Sequence, residues 1–303
     1  MLLTYSLLPL GQRVIEKLMR LIDVEMESVG AMKVTMPILG YRGLWEKASR
    51  WDSMGSELFR TKDRLGTEWC LQPTAEEMCT ELAAQLLPLK NRMFPLLFYQ
   101  TTDKFRDEMN PRLLPAVVSL LPEGEERICL PAAIAPFSAA VIVTKIPGTK
   151  YSKAIGALNN DKSPLEMCCF GIGVSRLLPA VVSLLPEGEE RICLPAAIAP
   201  FSAAVIVTKP LLHNVITELT LSSLDRLLKG GILLDDRVED NVGKRIKSLQ
   251  EIGIPRIVVL GKTTQNTINK VPKMEFIAPP QQNFQLPWES RELSLNELMQ
   301  VTG

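Results

Sequence analysis

Residues 112–145, RLLPAVVSLLPEGEERICLPAAIAPFSAAVIVTK, recur letter for letter at 176–209 in this chain of 303 residues, an offset of 64 positions. Solenoid repeats diverge in sequence and come as three or more copies with atypical ends. Two identical copies and no third do not make a solenoid. Such a duplication looks recent, or like a transcript or assembly event. At most one copy can sit in the context it was selected for, and the flanking chain must decide which.

The length suits two domains or one large one. A hydrophobic fraction of 46% and a charged fraction of 22% describe a soluble globular chain. The apolar runs are shorter than a membrane span requires. Lys plus Arg equals Asp plus Glu at 34 each, so any nucleic-acid contact must come from a local patch. The six cysteines (Cys70, Cys79, Cys129, Cys168, Cys169, Cys193) show no CxxC spacing, and His213 is the single histidine. This excludes a Cys/His zinc cluster and favours reduced thiols in an intracellular compartment. No signal or transit peptide is evident after Met1; either a precursor's start lies upstream or there was none.

In chain order, Leu8–Gly30 places Val14, Leu18, Leu21, Ile22 and Met26 at helical spacing, with Gly30 as a stop. Met32–Leu39 reads as a strand whose Pro37 confines it to an edge, a bulge or an interface. Gly43–Asp52 reads as a short helix with Trp45 and Trp51 as packing residues. Trp69–Leu82 runs from a strand through Pro73 into a helix. Thr74 and Glu77 have capping-box spacing. Glu76 is left over, and both a capping role and an amine-binding role remain open for it.

Thr101–Arg112, TTDKFRDEMNPR, alternates so that, as a strand, Arg106 and Glu108 share a face with Lys104 behind them. A guanidinium fork grips a phosphate and a carboxylate accepts from an exocyclic amine, so the pair suits a nucleotide. A solvated edge strand with a surface ion pair accounts for the same alternation. Glu166–Arg176 is a strand with Gly171 and Gly173 two apart, a bare floor for a flat ligand, and Arg176 follows near a helix start. It is not a GxGxxG fingerprint, since no third glycine follows.

The order of the strand ending in Met-Pro, WEKASRWD, PTAEE, KFRDE and FGIGVSR resembles the core of class II prolyl-tRNA synthetases, bacterial and mitochondrial type. The match covers most of residues 5–111 and 147–178 and continues into a C-terminal module. Each motif alone is weak, and five in order at compatible spacing are specific. One histidine cannot write the class I His-Ile-Gly-His signature.

The resemblance implies an α/β (α+β) fold: a class II antiparallel-sheet catalytic core plus a C-terminal α/β anticodon-binding domain. The expected divisions are a core over 1–185, with 112–145 as an intruding duplicate, a linker over 186–198 and the anticodon-binding domain over 199–303. It implies ATP-dependent ligation of L-proline to tRNA(Pro) through a prolyl-adenylate, hence a proline–tRNA ligase using ATP and Mg2+. In the roles so implied, Arg106 binds the ATP α-phosphate and Glu108 the adenine amino group. Arg176 holds the γ-phosphate, and Gly171 and Gly173 floor the purine site. Thr74 and Glu76 take the proline imino group, Cys169 lines the proline pocket and Glu77 is left for the cap. Pro37 lies at the interface of a homodimer. No resident metal and no membrane partner is expected. The compartment implied is the mitochondrial matrix, with the cytoplasm as the alternative.

Downstream, Ala203–Thr208, Gly231–Leu234 and Pro255–Leu260 are β-rich and alternate with helical Leu211–Leu228 and Gly243–Glu251. This is an α/β layout with a largely parallel or mixed sheet. Lys209–Lys273 holds eleven basic and seven acidic residues, an excess of the right sign for RNA phosphates. Lys244 and Arg245 are the candidates for contact with the tRNA backbone.

The chain also departs from the family pattern. After KFRDE the family turns and returns on a second strand; here the first copy of the duplicated block follows Arg112. The second copy fits its surroundings, leading from FGIGVSR into the anticodon-binding domain, so the first copy is the intruder. The family's histidine-bearing strand before Gly148–Ser152 is replaced by VIVTKIP. KFRDE should therefore lose its hairpin partner, and activation should be impaired. Two other readings stay open: a non-catalytic tRNA-binding or dimerising accessory protein on the same scaffold, and a splice or gene-model variant without activity.

Overall fold

A computed structural model describes residues 6–86, 93–107, 142–174, 177–178, 181, 194–228, 231–265, 271–279 and 288–302, with only the backbone of 142–147. It forms two compact units. One is built from 22–176, the other from 177–303 together with the described residues up to Leu21.

The first helix, α1 (Pro9–Ser28), contributes to both units. Val14, Leu18 and Ile22 are buried, the spacing expected for one apolar helical face. Gly30, just past its end, has φ +79°, a left-handed stop that glycine takes without strain.

In the first unit the expected strand over Met32–Leu39 is interrupted. β1 (Met32–Lys33) and β2 (Leu39–Tyr41) flank an irregular connector that holds Pro37. Proline has no ladder donor, and the connector's carbonyls serve another purpose: Pro37 O accepts from Gln72 Nε2 at 2.8 Å. Helix α2 (Arg42–Lys47) is followed by β3 (Arg60–Lys62) and β4 (Glu68–Leu71), giving an antiparallel sheet of order β2-β4-β3. Trp45, Trp51, Leu58 and Cys70 pack beneath it as a core cluster. A Cβ at Gly40 would lie 2.5 Å from Trp45 Nε1, so only glycine lets the strand run this close to the indole.

Helix α3 (Glu76–Gln85) follows β4, and β5 (Phe98–Tyr99) pairs in parallel with β1. β6 (Ile142–Gly148) and β7 (Met167–Ile172) form an antiparallel pair around α4 (Lys150–Ile155). The antiparallel sheet expected of the core is thus present in pieces among the described residues.

The second unit has a mixed five-stranded sheet of order β12-β11-β10-β8-β9. Its strands are β8 (Ala203–Val207), β9 (Ile232–Asp235), β10 (Ile257–Leu260), β11 (Lys273–Ala278) and β12 (Glu289–Ser294). β9 and β10 flank β8 in parallel, and β11 and β12 continue antiparallel. Helices α5 (Val215–Leu227) and α6 (Val242–Glu251) make the crossovers; α7 (Lys262–Gln265) and α8 (Leu295–Thr302) follow. Both crossover helices have asparagine caps: Asn214 Oδ1 accepts from Ile216 N at 2.9 Å and Asn241 Oδ1 from Gly243 N at 2.8 Å.

β8 is buried on both faces, as a central parallel strand must be. Ala203, Val205 and Val207 join one core cluster with Leu224 and Leu298, while Ala204 and Ile206 join another with Leu249 and Ile254. Burying each such Val, Leu or Ile contributes about 1.5–3 kcal/mol. The first part of α1 is fastened to this unit. Lys17 Nζ donates to Ala199 O at 2.6 Å, Arg13 Nε donates to Pro200 O, and the Arg13 guanidinium lies 4.5 Å from the Phe201 ring centre.

Candidate active site

The site of the first unit is built on the turn from β4 into α3. Gln72 anchors its start: its backbone N–H donates to Ile38 O at 3.0 Å, and its carbonyl accepts from Phe105 N at 3.2 Å. The chain then passes Pro73 and Thr74 and enters α3 at Ala75, whose φ of −129° lies outside the helical range. Glu76 and Glu77 occupy the first turn, where the helix's free N–H groups favour negative charge.

The capping box expected of Thr74 and Glu77 does not form. No side chain caps α3. Thr74 Oγ1 instead accepts from Arg50 Nη1 at 2.7 Å, and the same nitrogen donates to Glu77 Oε1 at 2.7 Å. Glu77 is fully buried and Glu76 is 6% exposed. A charge-assisted contact from a guanidinium to a buried carboxylate outweighs a cap, even though Glu77 Oε2 is left without a hydrogen-bond partner among the described residues. Glu76 Oε2 stands 3.6 Å from Arg50 Nη1, too far for a hydrogen bond, and is buried without a hydrogen-bond partner among the described residues.

Burial pushes the Glu77 carboxyl up, against the pull of Arg50, and does the same to the Tyr151 phenol. Burial works against the Arg50 charge, but Glu77 outweighs it and holds the guanidinium above its ordinary value. Arg50 thus keeps its proton throughout the ordinary pH range. It escaped the sequence reading, in which WEKASRWD signalled only tryptophan packing. A cation set between two tryptophans was the available sign.

The segment 101–107 does not form the expected strand, and among the described residues it belongs to no sheet. The alternation survives in its backbone. Phe105 N donates to Gln72 O and Asp107 N to Glu57 O at 3.0 Å, so alternate residues are tied through their backbone. Arg106 Nη2 donates to Pro73 O at 3.3 Å, which brings this arginine to the turn that holds Thr74 and Glu76. Lys104 is pulled below its ordinary value by burial, with Glu76 and Asp103 opposing.

β7 reaches the same region from the other side: Thr80 Oγ1 on α3 donates to Met167 Sδ at 2.8 Å. Cys169 is half-buried on β7. A Cβ at Gly171 would meet nothing within 4 Å, so the strand offers open space there. Gly173 follows the end of β7. Glu108 and Arg176 lie outside the described residues, and Pro37 sits exposed in the β1–β2 connector. No three His, Cys, Asp or Glu side chains converge to hold a metal among the described residues.

In the second unit Lys244 is exposed and pairs with Asp240 at 2.9 Å. Arg245 overturns its expected place on the surface. It is 1% exposed, with Nε donating to Asp235 Oδ1 at 3.0 Å, Nη1 to Val207 O at 3.0 Å and Nη2 to Asp235 O. The ends of β8 and β9 present these acceptors together, and a guanidinium fork satisfies them at once. Arg245 is a structural residue and is not available to RNA.

Residues 198–275 match the family model described as the anticodon binding domain. The human protein named "Probable proline--tRNA ligase, mitochondrial" is 30% identical over 352 aligned positions, which span 85% of this chain and 74% of that protein. The chain belongs to the proline–tRNA ligase family. A shorter match, 45% identical over 108 residues, is to the proline–tRNA ligase of Aromatoleum aromaticum and spans 36% of this chain and 18% of the bacterial protein. The solved structure of Giardia lamblia prolyl-tRNA synthetase with prolyl-adenylate superposes with TM-score 0.72 at 15% identity, over 96% of this chain and 69% of that one. At that identity the likeness establishes the shared fold, a class II core with an anticodon-binding domain.

Proposed function

We propose that this chain activates L-proline with ATP and transfers it to tRNA(Pro), and that the first copy of the repeated block impairs the first step. The observation that supports it is the meeting of Thr74, Glu76 and Arg106 at one turn, in a chain of this family.

The proline carboxylate attacks the α-phosphorus in line, pyrophosphate leaves, and prolyl-adenylate forms. A tRNA terminal hydroxyl then attacks the acyl carbon and AMP departs. The step needs positioning and charge neutralisation, with no covalent nucleophile. Glu76 accepts from the secondary ammonium, Thr74 completes that contact and Cys169 lines the ring. Arg106 meets the α-phosphate, Glu108 the adenine amine and Arg176 the γ-phosphate, with Gly171 and Gly173 beneath the purine. Magnesium enters with ATP as part of the substrate. Pro37 lies at the interface of a homodimer, and Lys244 contacts the tRNA backbone. The core spans 1–185, the linker 186–198 and the anticodon-binding domain 199–303. The enzyme works in the mitochondrial matrix, in keeping with the human relative's name.

The impairment follows from the sequence order, in which 112–145 stands where the family's return strand belongs. The test is ATP–pyrophosphate exchange on the purified chain. Exchange that requires proline, is lost in Arg106→Ala and runs well below an intact relative is the expected result. Exchange at the relative's level would overturn the impairment. A folded chain with no exchange would leave an accessory tRNA-binding role.

A further inference from the structure

We propose that Arg50 is a positioning residue of the amino-acid pocket. It takes up the charge of Glu77 and holds the Thr74 oxygen, leaving Glu76 as the carboxylate that meets a cationic secondary amine. The proposal rests on the reading of Thr74 and Glu76 as proline-binding residues.

The arginine is held from its backbone outward. At the end of α2, Ser49 N donates to Glu46 O at 2.8 Å and Arg50 N donates back to Trp45 O at 2.8 Å. This is a Schellman closure, with Ser49 in the left-handed region at φ +56°. The reversal lays the guanidinium over the Trp45 ring, 4.9 Å from its centre. Trp45 is itself fully buried and fixed against Gly40. The ring, the helix end and Met54 Sδ, which accepts from Nη2 at 3.3 Å, leave Arg50 little freedom.

Charge accounting gives this placement its meaning. One guanidinium faces two buried carboxylates. Arg50 hydrogen-bonds Glu77 through Oε1 and only approaches Glu76; the Oε2 atom of each carboxylate has no hydrogen-bond partner among the described residues, so it is the direct guanidinium contact that sets Glu77 apart. Lys104 feels the charge of Glu76, but the two form no ion pair among the described residues, where Glu76 is paired only loosely with Arg50. A buried carboxylate without a full partner is costly, and a ligand ammonium removes that cost where a neutral ligand cannot. Thr74 Oγ1 accepts from Arg50 with one lone pair and keeps its second for an N–H of the incoming ammonium. The pocket therefore selects for an amine in its charged form, and Glu77 sets that selectivity without touching the ligand.

The test is calorimetric titration of the full chain with L-proline, with tetrahydro-2-furoic acid (the same ring with oxygen in place of nitrogen) and with ATP. Glu77→Gln releases Arg50 to close on Glu76. Proline affinity should fall about tenfold or more, a loss of the size expected when one charge contact is cancelled. The oxygen analogue, which has no ammonium, should lose nothing further, and ATP affinity should hold. Arg50→Lys keeps the charge but not the fork, so it should also weaken proline binding selectively. Arg50→Ala leaves Glu77 buried and unpaired; if it does not fold, the other two variants decide. Unchanged proline affinity in folded Glu77→Gln and Arg50→Lys would overturn the proposal while leaving the functional reading intact. A wild-type chain that binds no proline would overturn that reading and this proposal with it.

Discussion

Asp235 sits at the end of β9 with its carboxylate shared between Arg245, at 3.0 Å, and Arg237, at 2.7 Å. Burial works against its charge, yet the two arginines outweigh that and hold its pKa below the ordinary value of 3.8. A lowered carboxylate pKa means stability that is present above about 3.8, the unfolded value, and is lost as pH falls through the folded one. Asp235→Asn should therefore cost about 3–5 kcal/mol at neutral pH, because it strands the buried Arg245. In denaturant titrations the gap to wild type should narrow below about pH 3.8. Nothing local in LLDDRVEDNVGKR distinguishes Arg245 from Lys244. The difference is made by one carbonyl of β8, Val207 O, 38 residues away in sequence, together with Asp235 of β9. Thr74 and Glu77 teach the same lesson: their spacing writes a cap, and an arginine 24 and 27 residues earlier redirects both.

At the scale of elements, the end of α2 is strained where the site needs precision. Ser49 holds φ +56°, a conformation that costs a residue with a Cβ about 1–2 kcal/mol and glycine almost nothing. Ser49→Gly should raise stability by about 1 kcal/mol, less glycine's own entropy loss, without moving Arg50. A melting-temperature rise of the first unit's transition with unchanged proline affinity is the expected pair of results. The longer elements were legible because their patterns are periodic: α1 from its apolar spacing, and the β8–β10 units from runs of Val, Ile and Leu between asparagine-capped helices. The strand expected over KFRDE was not realised among the described residues. Alternation prescribes an extended backbone, but a strand also needs a neighbour, and 101–107 finds only single carbonyls at Gln72 and Glu57.

At the scale of the molecule, two units divide the labour and should also divide the unfolding. Calorimetry should resolve two transitions, with Asp235→Asn lowering one and Ser49→Gly raising the other; a single transition shifted by both would show that the units melt as one. On the RNA side, Lys244→Ala should weaken tRNA binding uniformly and lower the slope of log affinity against log salt by about 1. The two domain types could be read from motif order and from the βα alternation. The attachment of the first part of α1 to the C-terminal unit could not, because Lys17 and Arg13 reach carbonyls at Ala199 and Pro200 that no pattern announces.

Residues 142–145 and 206–209 spell the same four letters, IVTK, and their shared Ile-Val pair enters strands of different polarity. In β6 all four run antiparallel to β7, whereas only Ile206 and Val207 belong to β8, as the last residues of a strand that runs parallel to β9 and β10. A nascent chain therefore releases a counterfeit of its central strand well before the genuine one. Seating the counterfeit beside β10 roughly doubles the loop to be closed, a handicap of only about 0.6 kcal/mol. So small a margin cannot police the choice at the moment of pairing. Discrimination must come afterwards, when the counterfeit has left β7 without its neighbour and the genuine strand has nowhere to go. The duplication thus burdens the molecule as a proofreading problem in assembly, distinct from any damage it does to the catalytic wall.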